Sequence, residues 1–141
     1  MNETLFTHIY QPEFLPVGMV FNNITDIDNL AIDSIGHMVI QDLLDFYTQE
    51  EGLSVLSLIG SKIKPDGTLE IQSIDLGQLG VSIASNEVGV DFAKKLLYSN
   101  KKNIFTLYEI VAALKALNFT IQNQKYINIF EYYISAIKNE A

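Results

Sequence analysis

Asp33 and His37 stand four residues apart, a spacing that puts both side chains on one helix face. A carboxylate and an imidazole so placed could reach one metal ion, but two ligands do not make a site, and His8 is distant in sequence. Asp26-x-Asp28 followed by Asp33 suggests a calcium loop. Counted from Asp26, the sixth position, which must be Gly, is Ala31, and the twelfth, which must be a bidentate Glu, is His37. Ser34 lies three residues before His37 but lacks the strand-turn-helix setting of a hydrolase nucleophile. Gly77-x-x-Gly80 lacks the third Gly of a dinucleotide-binding turn, and no P-loop is present. Carboxylates are too numerous for one pair to stand out as a glycosidase dyad. Residue chemistry therefore reads as non-enzymatic, with no metal and no cofactor expected.

Charge is the stronger signal. The first 61 residues hold nine acids and no Lys, whereas the remainder holds nine lysines against eight acids, and the chain has no Arg. A one-signed half speaks to partners and association rates. It favours a cationic partner and disfavours phosphate. Asp33, His37, Asp42, Asp45, Glu50 and Glu51 are the expected partner-binding residues, with Tyr132 as a partly exposed aromatic contact beside them. The profile is similar, in composition, to that of an immunity protein or antitoxin that neutralises a basic toxin, for example a nuclease, whose site must hold phosphate. The alternatives are a secretion-type chaperone that binds an effector segment, and a small ligand-binding domain or enzyme with a site assembled from scattered residues.

Lys94, Lys95, Lys101 and Lys102 form a basic cluster around Tyr98, but a pI near 4.5 and the missing Arg argue against nucleic acid as a partner. There is no Cys for a disulfide or thiolate site. No apolar run approaches the ~20 residues of a membrane span, and the first residues lack the pattern of a signal peptide. A cytoplasmic protein without a membrane partner is expected.

The elements that must position these residues read as follows. Leu5–Tyr10 and Val17–Phe21 suit short strands, broken between by Pro12 and Pro16. A long helix over Asp26–Gln49, capped by Thr25 or Asp26, would place Ile27, Leu30, Ala31, Ile35, Met38 and Val39 on one face. Leu53–Ser61 alternates like a strand, Lys64-Pro65-Asp66-Gly67 is a turn signal, and Thr68–Ile74 is the returning arm. Asp75–Gly80 reads as a loop and Val81–Ala84 as a strand. Three helices follow: from Ser85 or Asn86 to about Ser99, from the capping box Thr106-x-x-Glu109 to Leu117, and over Tyr126–Lys138. The expectation is an α+β fold in one globular domain over 1–141. It has a small antiparallel sheet, with a hairpin near 53–74 plus short strands, packed with a long helix in the N-terminal half and three C-terminal helices.

Overall fold

The computed structural model describes residues 6–10, 18–21, 24–99 and 101–140. Among them six strands form one mixed sheet: β1 Phe6–Tyr10, β2 Gly18–Phe21, β3 Ile35–Gln41, β4 Ile63–Ile74, β5 Phe119–Tyr126 and β6 Glu131–Lys138, in the spatial order β2-β1-β3-β4-β6-β5. β3 and β4 are parallel, and every other neighbouring pair is antiparallel. The helices are α1 Ile24–Asp28, α2 Gln49–Lys62, α3 Leu76–Ala84, α4 Val90–Leu97 and α5 Leu107–Ala116, with a short 3-10 turn at Leu44–Phe46. The expected α+β fold with a small antiparallel sheet is thus replaced by an α/β layout built around a parallel crossover, β3-α2-β4.

The largest correction is Leu53–Ser61, which is not a strand but the body of α2. Gly52, Val55, Leu56, Ile59 and Gly60 are buried, the i, i+3, i+4, i+7, i+8 stripe of a helix with one apolar side, and Lys62 is buried beyond them with its ammonium on the Asp28 and Leu30 carbonyls. Leu53, Ser54 and Ser57 are exposed, so the apparent period of two was coincidental. A capping box fixes the start of α2. Thr48 Oγ1 accepts the Glu51 N–H at 3.2 Å, and Glu51 Oε1 accepts the Thr48 N–H at 3.1 Å.

Lys64–Gly67 consequently does not turn a hairpin. It is a bulge between Ile63, which pairs with Ile35, and Thr68, which pairs with His37. Asp66 takes the left-handed conformation there, at φ 65°. Gly67 is needed for closeness: a Cβ on it would stand 2.7 Å from the Lys64 carbonyl oxygen and 2.8 Å from Ile63 Cγ2.

The long helix over Asp26–Gln49 is also corrected. The α-helix stops at Asp28, the segment passes through Asp33, left-handed at φ 55°, into the central strand β3, and helix returns only in the 3-10 turn Leu44–Phe46 and at Gln49, the start of α2. In β3, Met38 and Ile40 point into the core while His37, Val39 and Gln41 face the other side. Val81–Ala84 is the end of α3, not a strand. Tyr126–Lys138 is the second half of a hairpin, with Tyr132, Ile134 and Ala136 buried at alternate positions of β6. Its turn is held by Asn128, whose Oδ1 accepts the N–H groups of Phe130 and Glu131. The helix opened by Thr106-x-x-Glu109 is where it was expected, with both capping bonds made. The short strands near 5–10 and 17–21 agree with β1 and β2 over Phe6–Tyr10 and Gly18–Phe21. Leu5, Pro12, Pro16 and Val17 lie outside the described residues.

One core lies against β3, β4, β5 and β6. Ile27 of α1, Leu56 and Ile59 of α2, and Leu107, Ile110 and Leu114 of α5 pack with Met38, Ile40, Leu69, Ile71, Ile134 and Ala136. These helices therefore cover the same face. A smaller cluster of Ile74, Leu79 and Ile104 seats α3 beyond the end of β4. On the other face, β4 presents Thr68, Glu70 and Gln72 and β6 presents Tyr133, Ser135 and Ile137, all half-buried. Glu70 joins three strands there: it pairs with His37 Nε2 of β3 and accepts the Tyr133 hydroxyl of β6. Alternation of apolar and polar residues is the mark of a sheet with one solvated face, whereas strands buried on both faces read as apolar runs. β5 forms one edge, with a bulge between Ile121 and Asn123 and exposed Gln122, Asn123, Gln124 and Lys125.

Candidate functional site

The parallel strands β3 and β4 end side by side, and their carboxyl ends collect the chain's buried acids. Asp42 closes β3 in the left-handed conformation, φ 56°, and its N–H bonds to the Gln72 carbonyl at 3.0 Å. Asp45 follows in the 3-10 turn with 1% exposure. Ser73, near the end of β4, donates its hydroxyl to Asp45 Oδ2 at 3.1 Å, and Lys101 Nζ reaches the same oxygen at 2.8 Å. Asp75, next after β4, is 2% exposed and accepts the Leu107 N–H at 2.6 Å and the Gln78 N–H at 2.8 Å.

The segment 101–107 lies across these strand ends as a strap. The Asp45 carbonyl accepts the N–H groups of Lys102 and Asn103, and the Leu76 N–H bonds to the Phe105 carbonyl. The Phe105 ring sits on α2, so close that a Cβ at Gly52 would stand 2.9 Å from it. Asp45 and Asp75 are therefore committed to holding the strap. Asp42 is different. Its Oδ1 is buried and, among the described residues, is the buried side-chain atom left without a hydrogen-bond partner. Burial, with the nearby Glu131 carboxylate, pushes its carboxyl pKa up, against smaller downward pulls from the Lys101 ammonium and from the Ser73 hydroxyl, which reaches the carboxyl without satisfying Oδ1. Burial likewise raises the Asp45 pKa, although Lys101 bonds to it directly.

The residues expected to form a partner-binding tract are dispersed. Asp33 is at the opposite end of the sheet, where Lys138 Nζ bonds to its Oδ1 at 3.0 Å. His37 lies on the polar sheet face with Glu70. Asp42 and Asp45 are in the strand-end cluster. Glu50 and Glu51 are exposed in the first turn of α2, and Thr48 holds the Glu51 carboxyl below its ordinary range through the capping bonds. Tyr132, expected to be partly exposed, is 1% exposed, and burial drives its hydroxyl pKa well up. Lysines from the second half return to these acids: Lys138 to Asp33, Lys101 to Asp45, and Lys102 near Glu51. Among the described residues the acidic and lysine-bearing halves of the chain meet at these three places. Ser73 and Asp75 had no place in the expected site, and Lys101 had been weighed only as part of a basic cluster with Lys94, Lys95 and Lys102. Asp75 had a readable signal, since Asp-x-x-Gln is a helix-start pattern and Gln78 does receive the cap.

No protein-family model matches this sequence, and no curated protein matches it. Solved structures do match. An O-methyltransferase family protein from Burkholderia thailandensis aligns with a TM-score of 0.61 at 11% identity, over 84% of this chain and 34% of that one. The magnesium protoporphyrin IX methyltransferase from Synechocystis, solved with bound S-adenosylhomocysteine, aligns with a TM-score of 0.57 at 16% identity, over 81% of this chain and 49% of that one. A 1,6-didemethyltoxoflavin-N1-methyltransferase from Burkholderia thailandensis gives 0.53 at 15%, over 81% and 48%. The fold is a methyltransferase fold. This chain spans between about a third and a half of each of those three proteins.

The methyltransferase fold overturns the expectation of a non-enzymatic immunity protein or antitoxin, and of a secretion chaperone in its place. Those three matched structures carry methyltransferase names, and the acidic tract on which the immunity reading stood is neutralised in part by lysines.

The methyl donor implied by a methyltransferase fold is S-adenosylmethionine. Doubly wound sheets hold nucleotide-like ligands where the strand order reverses, against a Gly-rich turn that follows a parallel strand. In the described residues β2, β3 and β4 progress in one direction across the sheet, with α1 and α2 on the same face. The strand beside β3 on its other side is antiparallel. Gly77 and Gly80 lie inside α3. The N-termini of α2, α3 and α5 are closed by Thr48 with Glu51, by Asp75, and by Thr106 with Glu109, while that of α4, after Gly89, has no side-chain cap but follows a helix rather than a parallel strand. The described residues therefore do not fit the donor. They also include no group of three or more His, Cys, Asp or Glu side chains able to hold a metal ion. No described helix is long and apolar enough to cross a membrane.

Proposed function

We propose that this chain supplies the acceptor-binding side of a methyl-transfer site, and that Asp42 is the residue that takes hold of the acceptor. One observation carries the reading: a buried carboxylate oxygen at the carboxyl end of the central parallel strand has no partner within the described chain. Leaving such an atom unpaired costs about 1–3 kcal/mol or more for a charged group, so its retention calls for a donor that arrives from outside. An acceptor O–H or N–H has the right chemistry. The raised pKa also makes Asp42 a better proton acceptor than an ordinary carboxylate, which suits a nucleophile that must shed its proton. Support comes further from the matched structures, whose names include methyltransferases acting at oxygen and at ring nitrogen.

The test uses tritiated S-adenosylmethionine and an extract of the native cell, which supplies acceptor and any further component. Wild-type chain should raise label transfer above the extract alone, and Asp42→Asn should lower that increment by roughly 10²-fold or more, the range for loss of general acid-base groups. Asp42→Asn should not lower the melting temperature, because it removes an unpaired buried charge. Transfer indifferent to the chain, or equal for wild type and Asp42→Asn, would reject the reading.

A further inference from the structure

Large apolar side chains are left exposed around α3 and α4. Val81 of α3, Phe92 of α4, Tyr108 of α5, and Tyr126, Ile127 and Ile129 around the β5-β6 turn are each between 39% and 69% exposed. Their neighbours join them into one face. The Phe92 ring stands 6.2 Å from the Phe130 ring, and Ile129, before Phe130, accepts on its carbonyl the hydroxyl of Ser82, which adjoins Val81. Across the turn, Tyr126 bonds to Gln78 of α3 and lies within electrostatic reach of Tyr108. With ~150–250 Å² for a whole aromatic side chain and somewhat less for an aliphatic one, these six expose roughly 500–600 Å². That is the upper end for an apolar patch on a monomer, and it matches the apolar share of a standard half-interface, about 65% of ~800 Å². α4 is also short of packing. It has eight residues, no side-chain cap at Gly89, and Ala93 as its buried side chain, with Leu96 and Leu97 half-buried. A helix of that length is marginal in water unless something packs on it.

We infer that this face is where two copies of the chain pair about a two-fold axis. The inference is independent of the acceptor-side reading. Charge identifies the occupant. Each copy carries a net charge of −8, so two copies repel unless they meet across a face that is itself neutral. From Leu76 to Asn86 the chain has no charged residue, so α3 presents none to a partner. On α4, Asp91 stands in the first turn and Lys94 and Lys95 in the last. Among the described residues none of these three makes an ion pair. A two-fold axis across α4 reverses their order, setting Asp91 of each copy against Lys95 of the other. A foreign surface of one sign would be repelled by half of this rim, whereas a second copy meets its own complement.

The experiment is sedimentation velocity of the purified chain at low salt, from about 1 μM to about 0.5 mM. The wild-type mass should rise with concentration from 15.8 kDa toward twice that value. Val81→Glu combined with Ile129→Glu places like charges at the centre of the face. That variant should stay at 15.8 kDa where wild type pairs, with its circular dichroism unchanged. Ile32→Glu, at an exposed apolar residue outside the face, should leave pairing within about twofold of wild type. Asp91→Lys and Lys95→Asp should each weaken pairing several-fold, and the two together should restore it to within about twofold. Wild type that stays at 15.8 kDa throughout, or pairing that survives both glutamates, overturns the inference. Single reversals without effect, or a double reversal no better than the singles, overturn the two-fold arrangement. Should the two glutamates disrupt the fold, the reversals decide, because Asp91 and Lys95 are both exposed.

Discussion

Asp42 shows how much can rest on one side chain. Its backbone is left-handed, a conformation that costs a non-Gly residue roughly 1–2 kcal/mol, and its carboxylate is half-buried with one oxygen unpaired. The backbone conformation is shared with Asp33, Asp66, Asn86 and Asn118 and marks a turn; the unpaired buried oxygen is what assigns Asp42 to the site. A pH effect follows. The folded pKa of Asp42 lies above its unfolded value, so the folded state holds the proton more tightly. The stability this contributes is fully present below the unfolded pKa and is lost as pH rises through the folded pKa. Urea titrations should therefore show wild type losing stability relative to Asp42→Asn as pH rises above the ordinary carboxylate range, with the two closest at the acid end. Asp45 acts in the same direction. Glu51, lowered by its capping bonds, acts in the opposite one, its share being present above the unfolded pKa and lost as pH falls through the folded pKa. A variant curve parallel to wild type would mean that Asp42 does not carry the effect. At this scale the sequence was partly legible. Asp42 and Asp45 were singled out for their charge. Their burial was not visible, because it depends on Ser73 and Lys101 arriving from residues far along the chain.

At the scale of elements, α2 explains both what could be read and what could not. Thr48-x-x-Glu51 is the same capping box as Thr106-x-x-Glu109, yet only the second was read as a helix start. Serines at 54, 57 and 61 broke the apolar run into an alternation, and the Pro-Asp-Gly turn then invited a hairpin. The deciding residues were the glycines. Gly52 and Gly60 look like breakers, but in the structure both are buried on the inner stripe, where Phe105 and Phe119 lie against them. Gly52→Ala tests this. On propensity alone it should stabilise α2 by close to 1 kcal/mol. A Cβ 2.9 Å from the Phe105 ring should instead force the strap outward and give a net loss of about 1–3 kcal/mol. Chemical denaturation decides the sign, and a stabilised variant would show that the strap is not pressed onto α2. β6 was misread as a helix for a related reason. Tyr126, Phe130 and Tyr133 fit helical spacing, and only pairing with β4 selects the alternate set Tyr132, Ile134 and Ala136.

At the scale of the whole molecule, the sheet has one protected face. Adjacent residues of β4 should therefore respond very differently to change. Ile71→Ala, on the covered face at 2% exposure, should cost about 2–5 kcal/mol. Gln72→Lys, one residue on and on the polar face, should stay within about 0.5 kcal/mol. Equal and large losses in equilibrium unfolding would show that something covers the second face as well. This asymmetry was legible in outline from the alternation in 68–74, which was rightly read as a strand. The parallel pairing of β3 with β4 was not, since β3 had been absorbed into a long helix.

The irregular outer strand has a consequence for how the molecule behaves at high concentration. A free sheet edge is a template for strand addition, and strand addition is the first step toward fibrils. β5 offers eight residues of such an edge, but its bulge between Ile121 and Asn123 interrupts the register, and Gln122 to Lys125 are polar or charged where a zipper needs dry side chains. The opposite edge, β2, is Gly-Met-Val-Phe, short but apolar in sequence. Any amyloid-like growth of this protein should therefore begin at β2, and the gatekeeping at β5 leaves each added copy with one end that does not propagate.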